Sequence, residues 1–386
     1  MAVAAGNSAG AVLRAVLESG VATRTAIARV AELSPATVTT QVRALVAAGL
    51  LVEHPETASP AGMGRPHSPL GLNSAGNVVI GVHIAAGHVT VAVLDIAGTV
   101  RLSHRLPHSS LDPDEILDAA AAEVRRLRAE LSERVIGLGV AIGGWVDSTA
   151  GAVVDHISLR WRNVAVRQYL SERTGLPVSL DSHTRALLHA EQLFGTARTA
   201  AATVALFAGN VIDVAFAVHG RVHYGPRSAA GAITRLAGGE AEAALAECTD
   251  RALVARARRE SLAVNGISDL IAVAERDEAA RELFADRARV LGRVVAVLID
   301  LLDPDAVVIV DPALMRVPGV RAAYLDVVRR FSSCERPEEI VTGSSFIGRA
   351  LETAAGTVVL QQLFTDPLGV VAAAAPVPAI TAFYSE

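Results

Sequence analysis

The sequence contains no lysine, because every one of its 35 basic residues is an arginine. No side chain can therefore form a lysine Schiff base or act as the lysine of a phosphate-binding loop. Cysteine is also scarce: Cys248 and Cys334 lie far apart, which argues against a cysteine-rich zinc site and a disulfide framework. No run approaches the roughly 20 apolar residues of a membrane helix, and the start, MAVAAGNSAG, lacks the pattern of a signal peptide. These absences predict a cytoplasmic protein.

Apolar residues, by contrast, are abundant. The chain has 386 residues, 51% of them hydrophobic, and a net charge of −5. The length allows two or three domains, and the hydrophobic content predicts a large core. The negative net charge argues against a general surface for polyanions, although a small local one is compatible with it.

The first part of the chain has the pattern of short helices. Apolar residues recur at helical spacing at Val12, Leu13, Val16 and Leu17. Gly20 ends this helix, and Thr23 can cap a second one in which Ile27 and Val30 face inward.

A third helix is predicted in the segment LSPATVTTQVRALVAAGLLVE. Ser34 suits the N-cap, Pro35 the first helical position and Gly49 the C-terminal stop. One stripe is apolar: Val38, Val42, Leu45 and Val46. The opposite face is small, hydroxylic or cationic: Ala36, Thr37, Thr40 and Arg43. Such a face can approach a DNA major groove closely and offers donors to phosphates and base edges.

A strand (LLVEH), a loop (PETASPAGMGRPHS) and a second strand (PLGL) follow this helix. The order is that of a winged helix-turn-helix, which we expect over residues 1–72. Arg65, between Gly64 and Pro66 at the wing tip, could enter a narrow minor groove. The predicted DNA contacts are Ser34, Thr37, Thr40, Gln41, Arg43 and Arg65. The alternative is a three-helix bundle that does not bind DNA, since residues 1–72 hold five arginines against four glutamates.

From Asn77 the pattern changes to α/β. The strands VVIGVHIA, VTVAVLDIA and VIGLGVAIG accompany a helix at 112–131. A similar set follows: TVALFAG, DVAFAVHG, helices from about 239 to 300, and AVVIVDP. The repetition predicts two related lobes around a cleft, where a ligand would bind.

These segments resemble the ROK family of repressors, open reading frames and sugar kinases. In the N-terminal segment of residues 1–72, called the head below, the resemblance lies in LSPATVTTQVRALVAAGLLVE and GRP. In the body it lies in GLGVAIGGWVD, WRNVAVRQYLSERTGLPVSL, HAEQLFG, HGRVHYG, AAGAITRL, LIDLLDPDAVVIV and FIGRALETAAGTVVL. The resemblance implies an actin-like, ribonuclease-H-type body of two α/β lobes. We expect the first lobe at 73–190, joined by a C-terminal helix near 350–372, and the second, with oligomerisation helices, at 191–349.

The phosphate turns implied by the resemblance are degraded. The family's Asp-Ile-Gly-Gly-Thr turn corresponds to His83–Gly87, so the metal-anchoring carboxylate and the hydroxyl are missing. The glycine-rich second turn corresponds to AGNVIDVAF, and the adenosine-side glycine pair to Asp311-Pro312. The resemblance therefore implies a body without nucleotide or cofactor.

The family's catalytic and zinc residues are also replaced. His183 takes the place of the general-base aspartate and Ser182 that of its preceding asparagine, with Asp181 as a displaced candidate. In the zinc segment, GAITR, Ala232 and Arg235 replace the glutamate and the histidine, and the following cysteine cluster is absent. We accordingly expect no catalytic residue and no bound metal.

The replacements favour positive charge around the predicted cleft. The resemblance places the segment ISLRWRN beside the sugar pocket, where guanidinium groups suit carboxylate or phosphate and an indole offers a stacking surface. The predicted effector residues are Trp161, Arg162, Asp181, His183, Arg185 and Arg235, and His83 is a further candidate. The alternative is that these arginines are ordinary ion-paired residues.

The sequence thus predicts a transcriptional regulator, commonly a repressor in this family. It would bind a double-stranded operator as a homodimer or homotetramer and sense an anionic sugar-type effector. Two alternatives stay open: a sugar kinase with displaced catalytic residues, and a DNA-binding scaffold without an effector.

Overall fold

The computed structural model describes residues 6–54, 68–233 and 239–374. The N-terminal part contains three helices: α1 (Ser8–Ser19), α2 (Arg24–Val30) and α3 (Pro35–Ala47). Three short strands form an antiparallel sheet of order β1-β3-β2: β1 (Val21–Ala22), β2 (Leu51–Glu53) and β3 (Leu70–Leu72). Side-chain oxygens of Asn7, Thr23 and Ser34 cap the helices, as the latter two were expected to do.

The inward faces of these helices differ from the predicted ones at two positions. Ile27, Val38 and Leu45 are completely buried, but Val30 is 40% exposed and Val46 is 37% exposed. Val30 is the last residue of the seven-residue α2, and Val46 is rotated about 100° from Leu45 around α3. The prediction that both valines face the core is therefore wrong.

The first lobe is built on a five-stranded mixed sheet of order β11-β7-β4-β5-β6. Its strands are β4 (Asn77–Ala85), β5 (His88–Asp95), β6 (Val100–Pro107), β7 (Arg134–Ile142) and β11 (Val178–Ser182). Helices α4 (Pro113–Glu130) and α5 (Val166–Thr174) cover one face. A small sheet of β8 (Trp145–Asp147), β9 (Ala152–His156) and β10 (Trp161–Val164) lies beside it. Strand β4 is apolar and buried on both faces, since elements pack on both of them.

The second lobe repeats this design with a sheet of order β14-β13-β12-β15-β16. The strands are β12 (Thr203–Ala208), β13 (Ile212–Val218), β14 (Arg221–Val222), β15 (Ala306–Val310) and β16 (Val341–Gly343). Its helices are α7 (Gly239–Glu247), α8 (Asp250–Arg259), α9 (Ile267–Ala274), α10 (Glu278–Leu302), α11 (Pro312–Arg316), α12 (Val320–Phe331) and α13 (Pro337–Ile340). Between the lobes, α6 (His183–Phe194) contacts strands of both sheets.

The chain returns to the first lobe through α14 (Ala350–Leu363) and ends its described part with α15 (Pro367–Ala374). Helix α14 packs on the sheet where Gly81 and Gly139 leave room for its backbone. Helix α15 contacts α1 and α3, so the C-terminal helices join body and head. No single helix in the described residues is long and apolar enough to span a membrane, although the bent pair α14 and α15 reaches that length and composition together.

Candidate functional site

The N-terminus of α3 is fixed by its own hydroxyl groups. Ser34 Oγ accepts a hydrogen bond from the Thr37 backbone N–H at 3.1 Å and lies 2.8 Å from Thr37 Oγ1. Thr40 Oγ1 donates to the Ala36 carbonyl at 3.1 Å. These contacts hold the hydroxyls close to the helix, so they define its start and leave its outer face small and polar.

The face of α3 opposite the core is open to solvent. Ala36, Thr40 and Arg43 are exposed, and Thr37 and Gln41 are half-buried. The structure thus brings these predicted residues onto one accessible surface. Arg65 and the rest of the predicted wing lie outside the described residues, and strands β2 and β3 on either side of them pair antiparallel.

A further exposed arginine lies on the helix that precedes α3 and was not singled out from the sequence. Arg29, in the last turn of α2, is exposed. Within the described residues neither Arg29 nor Arg43 has an ion-pair partner, whereas Arg24 is paired with Glu53 at 2.9 Å. An arginine in the last turn of the helix that precedes the recognition helix is a signal that sequence reading could have used, whereas its lack of an ion-pair partner is visible only in the structure.

The other candidate site lies between the lobes, where the degraded phosphate turn meets α6. His83 is near the end of β4, and its Nε2 is 3.3 Å from Nδ1 of His183, the first residue of α6. Both rings are buried, and their planes are nearly parallel. Burial lowers the pKa of His83 well below its usual value and that of His183 to about 3, so both imidazoles are neutral.

A carboxylate of the second lobe lies close to the histidine pair. His183 Nε2 is 3.7 Å from Asp213 Oδ2, and this carboxylate accepts a hydrogen bond from the Gly144 N–H at 3.1 Å. Burial raises the pKa of Asp213 to about 6. Sequence reasoning missed Asp213, although an acidic residue within an otherwise apolar strand is a usable signal. No group of three metal-ligating side chains occurs in the described part of the chain.

Arg185 and Asp181 are bonded to each other. Arg185 Nε donates to Asp181 Oδ1 at 2.7 Å, and the guanidinium also donates to the backbone carbonyls of Ser228 and Val146 at 3.1 and 2.9 Å. The second Asp181 oxygen accepts from Tyr224 OH at 2.9 Å. The guanidinium is thus bound to a carboxylate and to backbone on both sides of the cleft.

The space left beside this ion pair is small. It is lined by residues that include Trp145, Ser182, Asp213 and Ser228, and its volume is about 10 Å³, about the room for one water molecule. Trp145 Nε1 donates to the Arg227 carbonyl at 2.9 Å and closes one side. A sugar-sized ligand does not fit without movement of the lobes.

The remaining predicted effector residues are not gathered in this space. Trp161 is only 2% exposed, and its Nε1 donates to the Leu111 carbonyl, so it belongs to the first-lobe core and has no free ring face for stacking. The Arg162 side chain is 80% exposed, with Asp155 at 3.9 Å. Arg235 lies outside the described residues. The structure therefore groups Asp181, His183 and Arg185 but not Trp161 or Arg162.

A second buried ionic cluster lies in the second lobe, at the Asp311-Pro312 pair that follows β15. The Arg287 guanidinium, from α10, is fully buried, with Asp250 at 2.8 Å and Asp311 at 3.6 Å. The adjacent Asp250 N–H donates to the Gly209 carbonyl in the second degraded turn. Sequence reasoning missed Arg287, which stands at an inward position of an otherwise apolar helix face.

A winged helix-turn-helix head on a two-lobed, actin-like body defines a class of protein, the transcriptional regulators built on a sugar-kinase fold. The ROK family model matches residues 79–330, and the chain belongs to the ROK family. A transcriptional regulator of Mycobacterium tuberculosis is 34% identical over 94% of this chain and 87% of its own length. A xylose repressor of Bacillus spizizenii is 24% identical over 48% of each chain.

Solved structures agree on the fold. A ROK family transcriptional regulator, described as a homologue of the Escherichia coli Mlc protein, superposes with a TM-score of 0.78 over 95% of this chain and 98% of its own, at 21% identity. A ROK glucokinase from Streptomyces griseus, with glucose and AMPPNP, gives a TM-score of 0.65 over 72% of this chain and 98% of its own, also at 21% identity. The sequence-based assignment to the regulator branch of the family is confirmed.

Proposed function

We propose that this regulator binds double-stranded DNA through α3 and that its body does not catalyse phosphoryl transfer. The observation that supports DNA binding best is the exposed outer face of α3, where Arg43 has no ion-pair partner among the described residues. Arg43 would contact a phosphate or a base edge, and Arg29 a phosphate beside it. A cytoplasmic location follows from this role, and repression is the mode that the printed names of the xylose repressors suggest.

The small net charge of the head affects the affinity for DNA that we expect. Residues 1–72 contain five arginines and four glutamates, so general attraction to phosphates is weak. Each unpaired arginine on the recognition surface then contributes a large share of the binding. We expect a shallow salt dependence for the whole protein and a marked loss from a single substitution.

The residues that line the cleft argue against kinase activity. Phosphoryl transfer needs a cradle for the triphosphate, an acidic metal anchor and a base near the acceptor hydroxyl. Here His83 stands in the first turn, and the base position holds His183, which is buried and hydrogen-bonded to His83. The carboxylate of Asp181 is bound to Arg185 and Tyr224.

The contacts of Arg185 favour the scaffold alternative, in which the body binds no effector. They argue against binding of an anionic effector in the closed cleft. An anion at Arg185 would have to replace Asp181 and two backbone carbonyls. Calorimetry with glucose 6-phosphate and gluconate tests this. We expect no binding heat. Heat that disappears in Arg185→Met, while a thermal melt shows this variant to be folded, would establish the anionic effector instead.

DNA binding is tested by selecting genomic fragments with the purified full-length protein. Arg43→Ala should weaken binding to the selected fragments by about 1–3 kcal/mol and reduce the salt slope by about one ion. Arg126→Ala, an equal change on exposed α4, serves as the control and should have no effect. Unchanged affinity and salt slope in Arg43→Ala would refute the assignment of α3.

Kinase activity is tested separately by coupled ADP release with magnesium–ATP and several hexoses. We expect no turnover above the rate without sugar. Robust turnover would overturn this part of the proposal and leave the DNA-binding part untouched.

A further inference from the structure

The head and the first lobe share one hydrophobic core. A single apolar cluster contains buried residues from each head helix and from the body: Leu13, Ile27 and Val38 with Leu94 and Phe364. Moving the head away from the body would expose this apolar surface to water, which is unfavourable. The head is therefore packed on the body and is not a separate module on a long linker.

The first helix of the head contacts the main chain at the end of α14. A β-carbon at Gly10 would lie 2.6 Å from the Phe364 carbonyl oxygen and 2.7 Å from that of Thr365. Both atoms are backbone, so position 10 has room only for a hydrogen atom when the head is in place. Glycine within a helix is otherwise less favourable than alanine, so this residue serves the contact and not the helix. Arg14 Nε also donates to the Phe364 carbonyl, at 3.3 Å.

Two side chains that each start a helix are bonded to each other across this contact. Asn7 Oδ1 accepts from the Gly10 N–H at 2.9 Å and caps α1, while its Nδ2 donates to Asp366 Oδ1 at 2.7 Å. The same Asp366 oxygen accepts from the Gly369 N–H at 3.2 Å in the first turn of α15. The Asn7 backbone N–H donates to the Thr365 carbonyl at 3.0 Å. The start of the head is thus hydrogen-bonded to the junction of α14 and α15.

A second attachment lies where α3 ends. The Gly49 carbonyl accepts from Asn73 Nδ2 and from Asn77 Nδ2, both at 2.8 Å. Asn77 is the first residue of β4, and its Oδ1 accepts from Arg134 Nε, at the start of β7, at 2.9 Å. The segment that ends α3 is therefore bonded directly to the first-lobe sheet.

We propose that Asn7, Gly10 and Asp366 are positioning residues for DNA binding, which hold the head in one orientation on the body. This inference rests on the proposed binding of DNA by α3 and on the homo-oligomer predicted from the sequence. Two heads that cannot turn on their bodies reach DNA at one separation, so the operator must carry half-sites at one fixed spacing. Heads on flexible linkers would instead adapt to several spacings.

Hydrogen exchange of the full-length protein without DNA tests the contact at Gly10. In the native protein, α1 and β4 should exchange their amide hydrogens at similar rates, because they share one core. Gly10→Ala should raise the exchange of α1 relative to β4 about tenfold or more, although alanine favours a helix. Gly87→Ala, where nothing lies within 4 Å of the added carbon, is the matched control. An α1 that keeps its native exchange rate in Gly10→Ala would overturn the proposal.

An exchange of side chains tests the bond between Asn7 and Asp366. Asn7→Asp keeps the cap of α1, since aspartate also accepts from the Gly10 N–H, but it places a second carboxylate beside Asp366. The exchange of α1 should rise about tenfold. The double variant Asn7→Asp/Asp366→Asn retains both capping groups and reverses donor and acceptor, so it should recover the native rate. A double variant that exchanges as fast as Asn7→Asp would reject the role of this bond.

The effect on operator spacing is measured with DNA fragments selected by the native protein. Inserting five base pairs between the half-sites turns one of them by about half a turn, and native affinity should fall about a hundredfold or more. In Gly10→Ala the same insertion should cost about tenfold or less, while affinity for a single half-site should stay native. Equal losses in the two proteins would overturn the proposal.

Failure of this inference is distinguishable from failure of the proposed function. If α3 does not bind DNA, Arg43→Ala keeps the native affinity, and the exchange measurements still report whether the head is fixed on the body. If the head is not fixed, Gly10→Ala keeps the native exchange rate, and the loss of affinity in Arg43→Ala is still observed.

Discussion

His83 Nε2 lies 3.3 Å from His183 Nδ1, so a buried hydrogen bond between two neutral imidazoles links the end of β4 to the start of α6. One ring must donate its N–H and the other accept it. His83 Nδ1 and His183 Nε2 have no hydrogen-bond partner among the described residues. Protonation of His183 would place a cation in this buried space, where the carboxyl of Asp213 lies 3.7 Å from its Nε2.

This arrangement predicts that the protein loses stability as the pH falls below about 6.5. The folded-state pKa of His183 is about 3, below the ordinary value of 6.5, so between these values the unfolded chain binds more protons. His88, His156 and His189 have folded-state pKa values of about 4 and act in the same direction. Asp213, with its pKa raised to about 6, opposes them between its ordinary value of 3.8 and about 6.

His183→Gln isolates one part of this effect. The slope of unfolding free energy against pH between 6 and 5 should fall by at most about 1.4 kcal/mol per pH unit relative to the native protein. Urea unfolding at several pH values measures it. The matched control is the same substitution at an exposed histidine, His223→Gln. An identical slope in His183→Gln would contradict the buried, neutral state of this ring.

Replacing one partner of the Asp181–Arg185 pair should be costly. Arg185→Met leaves a buried carboxylate without its guanidinium, and we expect a loss of about 3–5 kcal/mol in unfolding free energy. The double variant Asp181→Leu/Arg185→Met should recover part of it, because no buried charge is left unpaired.

The exposed pair of Arg126 and Glu130 provides the comparison. Arg126→Met should cost much less than Arg185→Met, since Arg126 is exposed and water screens its pairs with Glu123 and Glu130. Chemical denaturation measures all of these variants. Equal effects at the two arginines would show that Arg185 does not hold the cleft together.

The packing of α14 on the first-lobe sheet depends on a glycine in strand β7, which has no side chain. A β-carbon at Gly139 would lie 2.1 Å from the Ala355 carbonyl oxygen, which is backbone and cannot move aside cheaply. Gly139→Ala should lower the unfolding free energy by about 1–3 kcal/mol or more, as overpacking does. Gly87→Ala, with nothing within 4 Å of the added carbon, should be nearly neutral in the same urea titration. Comparable stabilities of the two variants would refute the close contact.

The wing gives a prediction that rests on sequence alone, because Arg65 lies outside the described residues. Arg65→Ala should weaken DNA binding, most strongly where the flanking DNA is rich in A·T pairs, since narrow minor grooves have the most negative potential. Competition binding with A·T-rich and G·C-rich flanks measures the difference. The wing assignment would be wrong if affinity and salt slope stayed unchanged.

Local signals predicted much of the fold. Ser34 and Thr23 were placed as caps, and the strand at Asn77–Ala85 and the helix at Pro113–Glu130 follow from their apolar periodicity. These features depend on neighbouring residues, which the sequence displays directly. Helix ends were less predictable: Val30 and Val46 matched the apolar pattern but project past the packed surface.

Cleft residues were harder to assign, because their roles depend on partners distant in the chain. Trp161 was expected to face a ligand, but Leu111 accepts its N–H in the core. Arg185 was expected to bind an anion, but its guanidinium is bound by Asp181, four residues earlier at the end of β11, and by carbonyls from both sides of the cleft. No spacing rule reveals such long-range partners.

The order of amino acids by itself determined which chemistry is possible: a chain without lysine, with imidazole where a metal-binding carboxylate would stand, and with a small, polar helix face near its start. Only the tertiary structure decided which of these groups are free. It buried Arg185 against Asp181 and left Arg43 in solvent, because burial of a charge is tolerated only where folding brings a partner to it.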